Sequence, residues 1–368
     1  MLSARRIHQH GEQVLADDGQ WPCAIMRGKS RPIASPAAES RPLNAVLTSK
    51  ACPVCANAGD NRVVTAREMM FGMRDQFHYL ECGACRGIYL LDAPADLAKY
   101  YPANYYSFAA LHGLKWELKK RWAAYSHGQW NPLGWLMKLA LGQEEEAVAA
   151  VSRAAIPFDA QVLDVGCGNG LLLRYMKHIG YRSLLGVDPF IEGDVHDGHG
   201  VLVKKRALEE MDGAFDVIMF HHSFEHLTDP ESTLRHAARL LKPGGRIMIR
   251  IPVGGSLLWQ RYGVDWFHLD APRHLYLFSP QALQLLAQRC GLSVRAQSFE
   301  GTAASFVRSD LYARDVPLID HLAPERGGLG KRGLRRAARQ YRALAEEISR
   351  SGEADCACFE LQMQLQAR

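Results

Sequence analysis

Two groups of residues have types and spacing suited to chemistry. The first is a pair of CxxC motifs, Cys52-Pro-Val-Cys55 and Cys82-Gly-Ala-Cys85, separated by 26 residues (56 to 81). Each motif presents two thiolates to one ion. Two motifs close a tetrahedral four-sulfur shell with no open position, so the spacing points to a structural zinc ion held by Cys52, Cys55, Cys82 and Cys85 rather than to a redox dithiol. The second group is Val162-Leu-Asp-Val-Gly-Cys-Gly-Asn-Gly170, followed by Leu171-Leu-Leu-Arg-Tyr-Met. It reads as a buried strand, a tight glycine turn and a helix. Gly166, Gly168 and Gly170 let backbone approach a ligand, and the helix start offers unpaired N–H groups. Asp164 puts a carboxylate at the strand end, which suits a ligand with a positive end and serves a pyrophosphate poorly.

The elements that must position these groups follow from the rest of the chain. A net charge of +5, 48% hydrophobic and 23% charged residues are ordinary for a globular protein and demand no polyanionic partner. No apolar run approaches the roughly 18 residues of a membrane span. The first residues lack the apolar core of a secretory signal, and CxxC pairs without such a signal favour metal over disulfides, so the expected location is cytoplasmic. The nine cysteines are an odd number; Cys356 and Cys358 have the wrong spacing for a knuckle and stay unassigned. The reading divides the chain into a flexible lead (1–48), a zinc ribbon (49–92), a helical linker (93–155), an α/β domain (156–312) and a C-terminal helical tail (313–368). In the linker, Tyr100-Tyr-Pro-Ala-Asn-Tyr-Tyr106 suits packing between domains, and the basic segment from Lys115 to Trp122 suits a cover over the α/β domain or a peripheral membrane contact.

Within the α/β domain, strands are expected at 161–165, 183–187, 201–204, 215–220 and 246–251, with helices between them. Asp229 caps a helix that has Pro230 at its first position. Two closing antiparallel strands are expected at 291–295 and 304–308. Strands alternating with helices imply a parallel sheet that takes its ligand beyond the strands' carboxyl ends.

Five motifs in order, Asp164-Val-Gly-Cys-Gly-Asn-Gly170, Gly186-Val-Asp188, Phe215-Asp-Val-Ile218, Glu225-His226 and Leu241-Lys-Pro-Gly-Gly245, resemble the successive motifs of class I S-adenosylmethionine (SAM)-dependent methyltransferases. The G-x-G-x-G spacing departs from the G-x-G-x-x-G of nicotinamide-binding folds. The resemblance implies an α/β, Rossmann-like, seven-stranded, mostly parallel sheet with helices on both faces, preceded by the zinc ribbon. It also implies SAM as cofactor: Asp188 on the ribose hydroxyls, the glycines along the methionine and ribose, and Asp164 toward the ammonium. After the third strand the family's acid is replaced by Ala207, leaving Leu208 to offer backbone and apolar contact to the adenine.

The ribbon, the tyrosine linker, His222-Ser-Phe-Glu-His226 and the segment from Trp266 to Tyr276 together resemble bacterial zinc-ribbon methyltransferases associated with sugar or surface-polysaccharide modification. That resemblance implies a small-molecule acceptor, a nucleotide- or lipid-linked sugar. Methyl transfer to a hydroxyl needs a base, for which histidine is suited. His222 and His274 are the first candidates, with His226 and His268 behind them and Glu225 as orienter or substrate ligand. Asp270, Arg273 and Trp266 are read either as sugar or diphosphate contacts or as a buried clamp. Two other functions stand beside this one. An RNA methyltransferase needs a basic, aromatic ribbon face, and 51–91 carries only Arg62, Arg67, Arg74 and Arg86. A non-catalytic cofactor-binding subunit fits poorly with intact glycines and Asp188. The acceptor's identity and the oligomeric state are not legible.

Overall fold

The computed structural model describes residues 51–101, 113–141, 146–198 and 201–364. The lead expected over 1–48 and the tyrosine linker from 102 onward lie outside them. The N-terminal module is an antiparallel sheet of β1 (Arg62–Arg67), β2 (Gln76–Glu81) and β3 (Ile88–Leu90). Helices α1 (Gly113–Ser126), α2 (Pro132–Leu141) and α3 (Glu146–Arg153) follow. Helix α1 covers the α/β domain: Trp122, Ala123 and Ala124 are buried, and Trp116 stacks on Tyr175 at 5.3 Å. No helix among the described residues is long and apolar enough to cross a membrane.

The second sheet begins with β4 (Gln161–Val165), α4 (Leu171–Ile179), β5 (Ser183–Val187), β6 (Val195–His196), β7 (Val201–Lys204) and β8 (Phe215–His221). It continues with α5 (Pro230–Arg239), β9 (Leu241–Pro252), α6 (Leu257–Tyr262), β10 (Tyr276–Leu277), α7 (Pro280–Arg289) and β11 (Leu292–Glu300). The chain ends in α8 (Ala303–Tyr312), α9 (Gly330–Ser351) and β12 (Cys356–Met363). The strand order is β11-β12-β9-β8-β4-β5-β7-β6. From β9 to β7 all pairings are parallel; β6, β12 and β11 add on antiparallel. Alternate side chains feed two cores, Leu163, Ile218 and Ile249 packing with α5 and α7, and Val162, Val217 and Met248 packing with α3 and α4. Helices therefore cover both faces, as the strand–helix alternation requires. Asp229 caps α5 as expected, its Oδ1 accepting from Ser232 N at 2.9 Å.

The sheet has eight strands where seven were expected, because one expected strand is a helix and two strands are added. Residues 304–308, read as a strand, lie in α8: Thr302 caps it, and Phe306, Val307 and Leu311 fall on one buried helical face. The tail read as helical over 313–368 ends in β12, which inserts between β9 and β11. Cys356, Ala357, Cys358 and Phe359 are all buried because β12 is covered on both faces, so it shows no polar alternation. The short β6 is the other addition.

The N-terminal module is built into the α/β domain. β10 pairs with β3, so the small sheet runs β1-β2-β3-β10 and ends on a strand from the far side of the sequence. Arg273, three residues before β10, is fully buried. Its Nε and Nη2 donate to Asp270 at 3.0 and 2.7 Å, Nη2 also to Glu68 at 2.9 Å, and Nη1 to Tyr100 O at 3.2 Å. Glu68 accepts in turn from the backbone N–H groups of Met70, Phe71 and Met73. Removing the guanidinium leaves two buried carboxylates uncompensated, so Arg273→Met is expected to lower stability by about 3–5 kcal/mol. Denaturant unfolding measures this, and a loss under about 1 kcal/mol would contradict it.

Candidate active site

The turn after β4 is held by its neighbours. Gly166 N donates to Val187 O at 2.8 Å, and Gly166, Gly168 and Gly170 have φ of +70°, +53° and +73°. A Cβ at Gly166 would lie 2.5 Å from Ser223 Cβ, and one at Gly170 2.7 Å from a Val203 methyl. These two glycines make room for side chains of β7 and of the loop after β8, whereas Gly168 sends its N–H to Asp188 Oδ2 at 2.8 Å. Asp188 Oδ1 accepts from Phe190 N at 2.9 Å. Each oxygen keeps lone-pair capacity for a ligand hydroxyl. Asp164 is 2% exposed and its Oδ1 has no hydrogen-bond partner. Burial, and then the nearby Asp188 charge, push its pKa up to about 8. Leu208 lies in the core with Val187, Met211 and Phe215, so its side chain packs inward.

Ser223 joins this turn to the next group. Its Oγ donates to Val165 O at 2.6 Å, between His222 and the turn Phe224–His226. His222 ends the strand in the left-handed region at φ +52°, its N–H donating to Arg250 O at 2.9 Å. Its Nε2 receives the Arg250 guanidinium, and its Nδ1 lies 3.3 Å from Glu225 Oε1. Because a guanidinium only donates, Nε2 is the acceptor and Nδ1 carries the proton. Burial, then the Arg250 charge, hold the pKa of His222 well below the usual histidine value, so it stays neutral.

Glu225, His226 and His274 come together, one potential ligand atom of each lying within 4.8 Å of the others. Glu225 is fully buried with Oε2 unpartnered, and Leu275 N donates to its carbonyl at 2.8 Å. His226 Nδ1 lies 2.8 Å from Arg273 O and 3.0 Å from Tyr101 Oη. Burial is the main cause that lowers its pKa. His274 Nδ1 lies 2.7 Å from His268 O, while its Nε2 is 3.9 Å from both Glu225 Oε1 and Asp270 Oδ2. Carbonyls only accept, so both Nδ1 atoms carry a proton, and in the neutral imidazole form each Nε2 keeps its lone pair.

Other expected site residues are placed elsewhere. His268 Nδ1 and Trp266 Nε1 both bond Asp355 Oδ2 at 3.0 Å, and Trp266 is fully buried, so it offers no face for stacking. Asp270 and Arg273 form the buried clamp and not an exposed sugar or diphosphate contact. The sequence reading missed Arg250, Ser223 and Phe190, and read Tyr101 only within a tyrosine run that could line a sugar or base or pack between domains. Arg250 had a signal, a single cation in the apolar run Ile247-Met-Ile-Arg-Ile251; it is 4% exposed and salt-bridged to Glu300 at 2.6 Å. Phe190, 83% exposed beside Asp188, is an aromatic face open to solvent at the same end of the sheet.

In the N-terminal module the four cysteine sulfurs lie within 4.8 Å of one another, with Cys52–Cys85 at 3.6 Å and Cys55–Cys82 at 3.5 Å. A tetrahedron with metal–sulfur bonds of about 2.3 Å has edges of about 3.8 Å, so the donor set fits a thiophilic ion. The N–H groups of Cys55 and Cys85 point back to Cys52 and Cys82 sulfur at 3.5 and 3.4 Å, which forms the two knuckles.

Residues 140–297 match the family described as a methyltransferase domain. The chain is 31% identical over 215 residues to a ubiquinone biosynthesis O-methyltransferase of Caulobacter vibrioides, covering 50% of this chain and 82% of that protein. The chain belongs to the SAM-dependent methyltransferase family. A Pseudomonas aeruginosa protein of the same name is 38% identical over 154 residues, 37% of this chain and 65% of its own length, so the match spans just under two thirds of that relative. A solved SAM-dependent methyltransferase from Mesorhizobium loti is 17% identical over 58% of this chain and 97% of its own, with a TM-score of 0.36, too loose a likeness to argue from. The methyltransferase match contains the glycine turn and Glu225, His226 and His274, but neither the cysteine module nor β12. Asp164 supplies the test of fit to the cofactor: a buried carboxyl without a partner suits the ammonium group of SAM.

The Asp164 carboxyl gives a stability signature. Unfolded, it ionises near 3.8; folded, it holds its proton to about 8. The folded state therefore binds more protons between these values, and stability falls as pH rises through the window, by at most about 1.4 kcal/mol per pH unit. Asp164→Asn is expected to flatten that slope. Denaturant unfolding at pH 5, 6.5 and 8 measures it, and parallel profiles for the two proteins would contradict the assignment.

Proposed function

We propose that this protein transfers the methyl group of SAM to a hydroxyl of a small-molecule acceptor. The observation that supports the reading is the junction at Ser223, which packs the start of the loop carrying Glu225 and His226 against the glycine turn, beyond the carboxyl ends of the parallel strands. Asp188 would hold the ribose hydroxyls on its remaining lone pairs, and Asp164 the ammonium. Gly168 would bring the turn's backbone along the cofactor, with Gly166 and Gly170 keeping the turn closed around it. Leu208 would offer backbone to the adenine, and Phe190 an aromatic face.

Methyl transfer from a sulfonium is an in-line displacement, so the protein's task is to align the hydroxyl and take its proton. His222 is poorly placed for the second step because Arg250 already occupies its Nε2. The Nε2 lone pairs of His226 and His274, backed by Glu225, suit it better. The names of the relatives favour oxygen as the methylated atom and connect it with ubiquinone biosynthesis. The sugar acceptor expected from the flanking motifs draws no support from them. The four cysteines would hold a structural zinc ion that keeps the N-terminal module against this site.

Calorimetry with SAM and S-adenosylhomocysteine is the first test, and Asp188→Ala is expected to weaken both at least tenfold. Transfer of labelled methyl to a panel of ring hydroxyls and sugar nucleotides then reads the acceptor. His274→Ala is expected to lower kcat by about 10²–10⁴ with cofactor affinity kept. A folded protein that binds neither cofactor form would overturn the proposal.

A further inference from the structure

We infer that Glu225, His226 and His274 form a second metal site, which takes one divalent first-row ion of the zinc, iron(II) or manganese class. Three observations meet there. The ligand atoms converge within 4.8 Å, so an inward shift of under about 1 Å by each side chain brings all three to the bond length of about 2.1 Å that such an ion takes. Both histidines are already oriented as metal ligands usually are, with Nδ1–H donated to a backbone carbonyl, Arg273 O for His226 and His268 O for His274. The third donor is the fully buried Glu225 carboxylate, whose Oε2 has no partner although its Oε1 is met by His222. A buried carboxylate with one unpartnered oxygen beside two imidazoles is a costly arrangement without a cation and a satisfied one with it.

Two imidazoles and one carboxylate form a donor set distinct from the four thiolates of the N-terminal module. It accepts borderline ions and leaves coordination positions open, where a four-cysteine site is closed. An oxygen of the acceptor would fill an open position and be acidified there, its proton passing to solvent water instead of to a free imidazole. That last part rests on the proposed methyl transfer. Metal binding itself does not.

The experiment uses the full-length protein stripped with a chelator and titrated with cobalt(II), read by absorbance, with bound metal counted by elemental analysis. Cobalt at the cysteine site carries thiolate-to-metal charge transfer; cobalt at Glu225, His226 and His274 carries only weak d–d bands. Wild type is expected to take up one equivalent more than His274→Asn, and that equivalent adds no charge-transfer intensity. Glu225→Gln, which keeps the shape of the side chain, is expected to weaken the same equivalent at least tenfold and guards against misfolding of the histidine variant. Equal metal content in wild type and both variants would overturn the inference, as would charge transfer on every equivalent. SAM calorimetry on the same samples tests the methyltransferase reading separately.

Discussion

A buried guanidinium, beside the pairing of β10 with β3, ties the two parts of this protein together. Arg273 is fully buried and divides its donors between Asp270 in its own loop, Glu68 of the small sheet and the Tyr100 carbonyl. A buried ion pair of this kind adds little net stability over an apolar packing of the same volume, but it penalises any arrangement that leaves one charge alone. Its effect is therefore to fix which loop meets which module. The loop it fixes carries His274, and its carbonyl orients His226. Tyr79 of β2 adds a second tie by donating to His274 O at 3.0 Å. Through Glu68 and Tyr79 the N-terminal module thus braces the loop that carries His274.

The cofactor side shows the opposite economy. Asp164 is buried without a partner and is held protonated well above the usual carboxylate range, an arrangement that costs the free protein stability. Such a group is tolerated when a ligand supplies the missing charge. The same logic holds for Glu225 Oε2 a short distance along the crevice. Asp164 Oδ1, near the end of β4, and Glu225 Oε2, after β8, are both buried polar atoms without partners.

The sequence disclosed what is local. Alternating strands and helices, the Asp229 cap, the glycine turn and the paired CxxC motifs each carry their signal in a short stretch of sequence, and each appears where expected. β12 was missed because a strand covered on both faces has no alternation, and α8 because Ala303-Ala-Ser-Phe-Val307 is too short an apolar run to reveal its period. The pairing of Arg273 with Glu68 spans 205 residues, and nothing in local pattern predicts it. The candidate histidines were found by type and motif, but their division of labour was not. That His222 is occupied by Arg250 while His226 and His274 are free at Nε2 depends on which strand lies next to which.

The N-terminal module holds the loop that carries His274. Hydrogen exchange on wild type and Glu68→Gln, compared segment by segment, tests this. Faster exchange is expected over 222–226 and 268–277 in the variant, with 161–187 unchanged. Unchanged exchange at 268–277, or a uniform increase across the whole α/β domain, would contradict it.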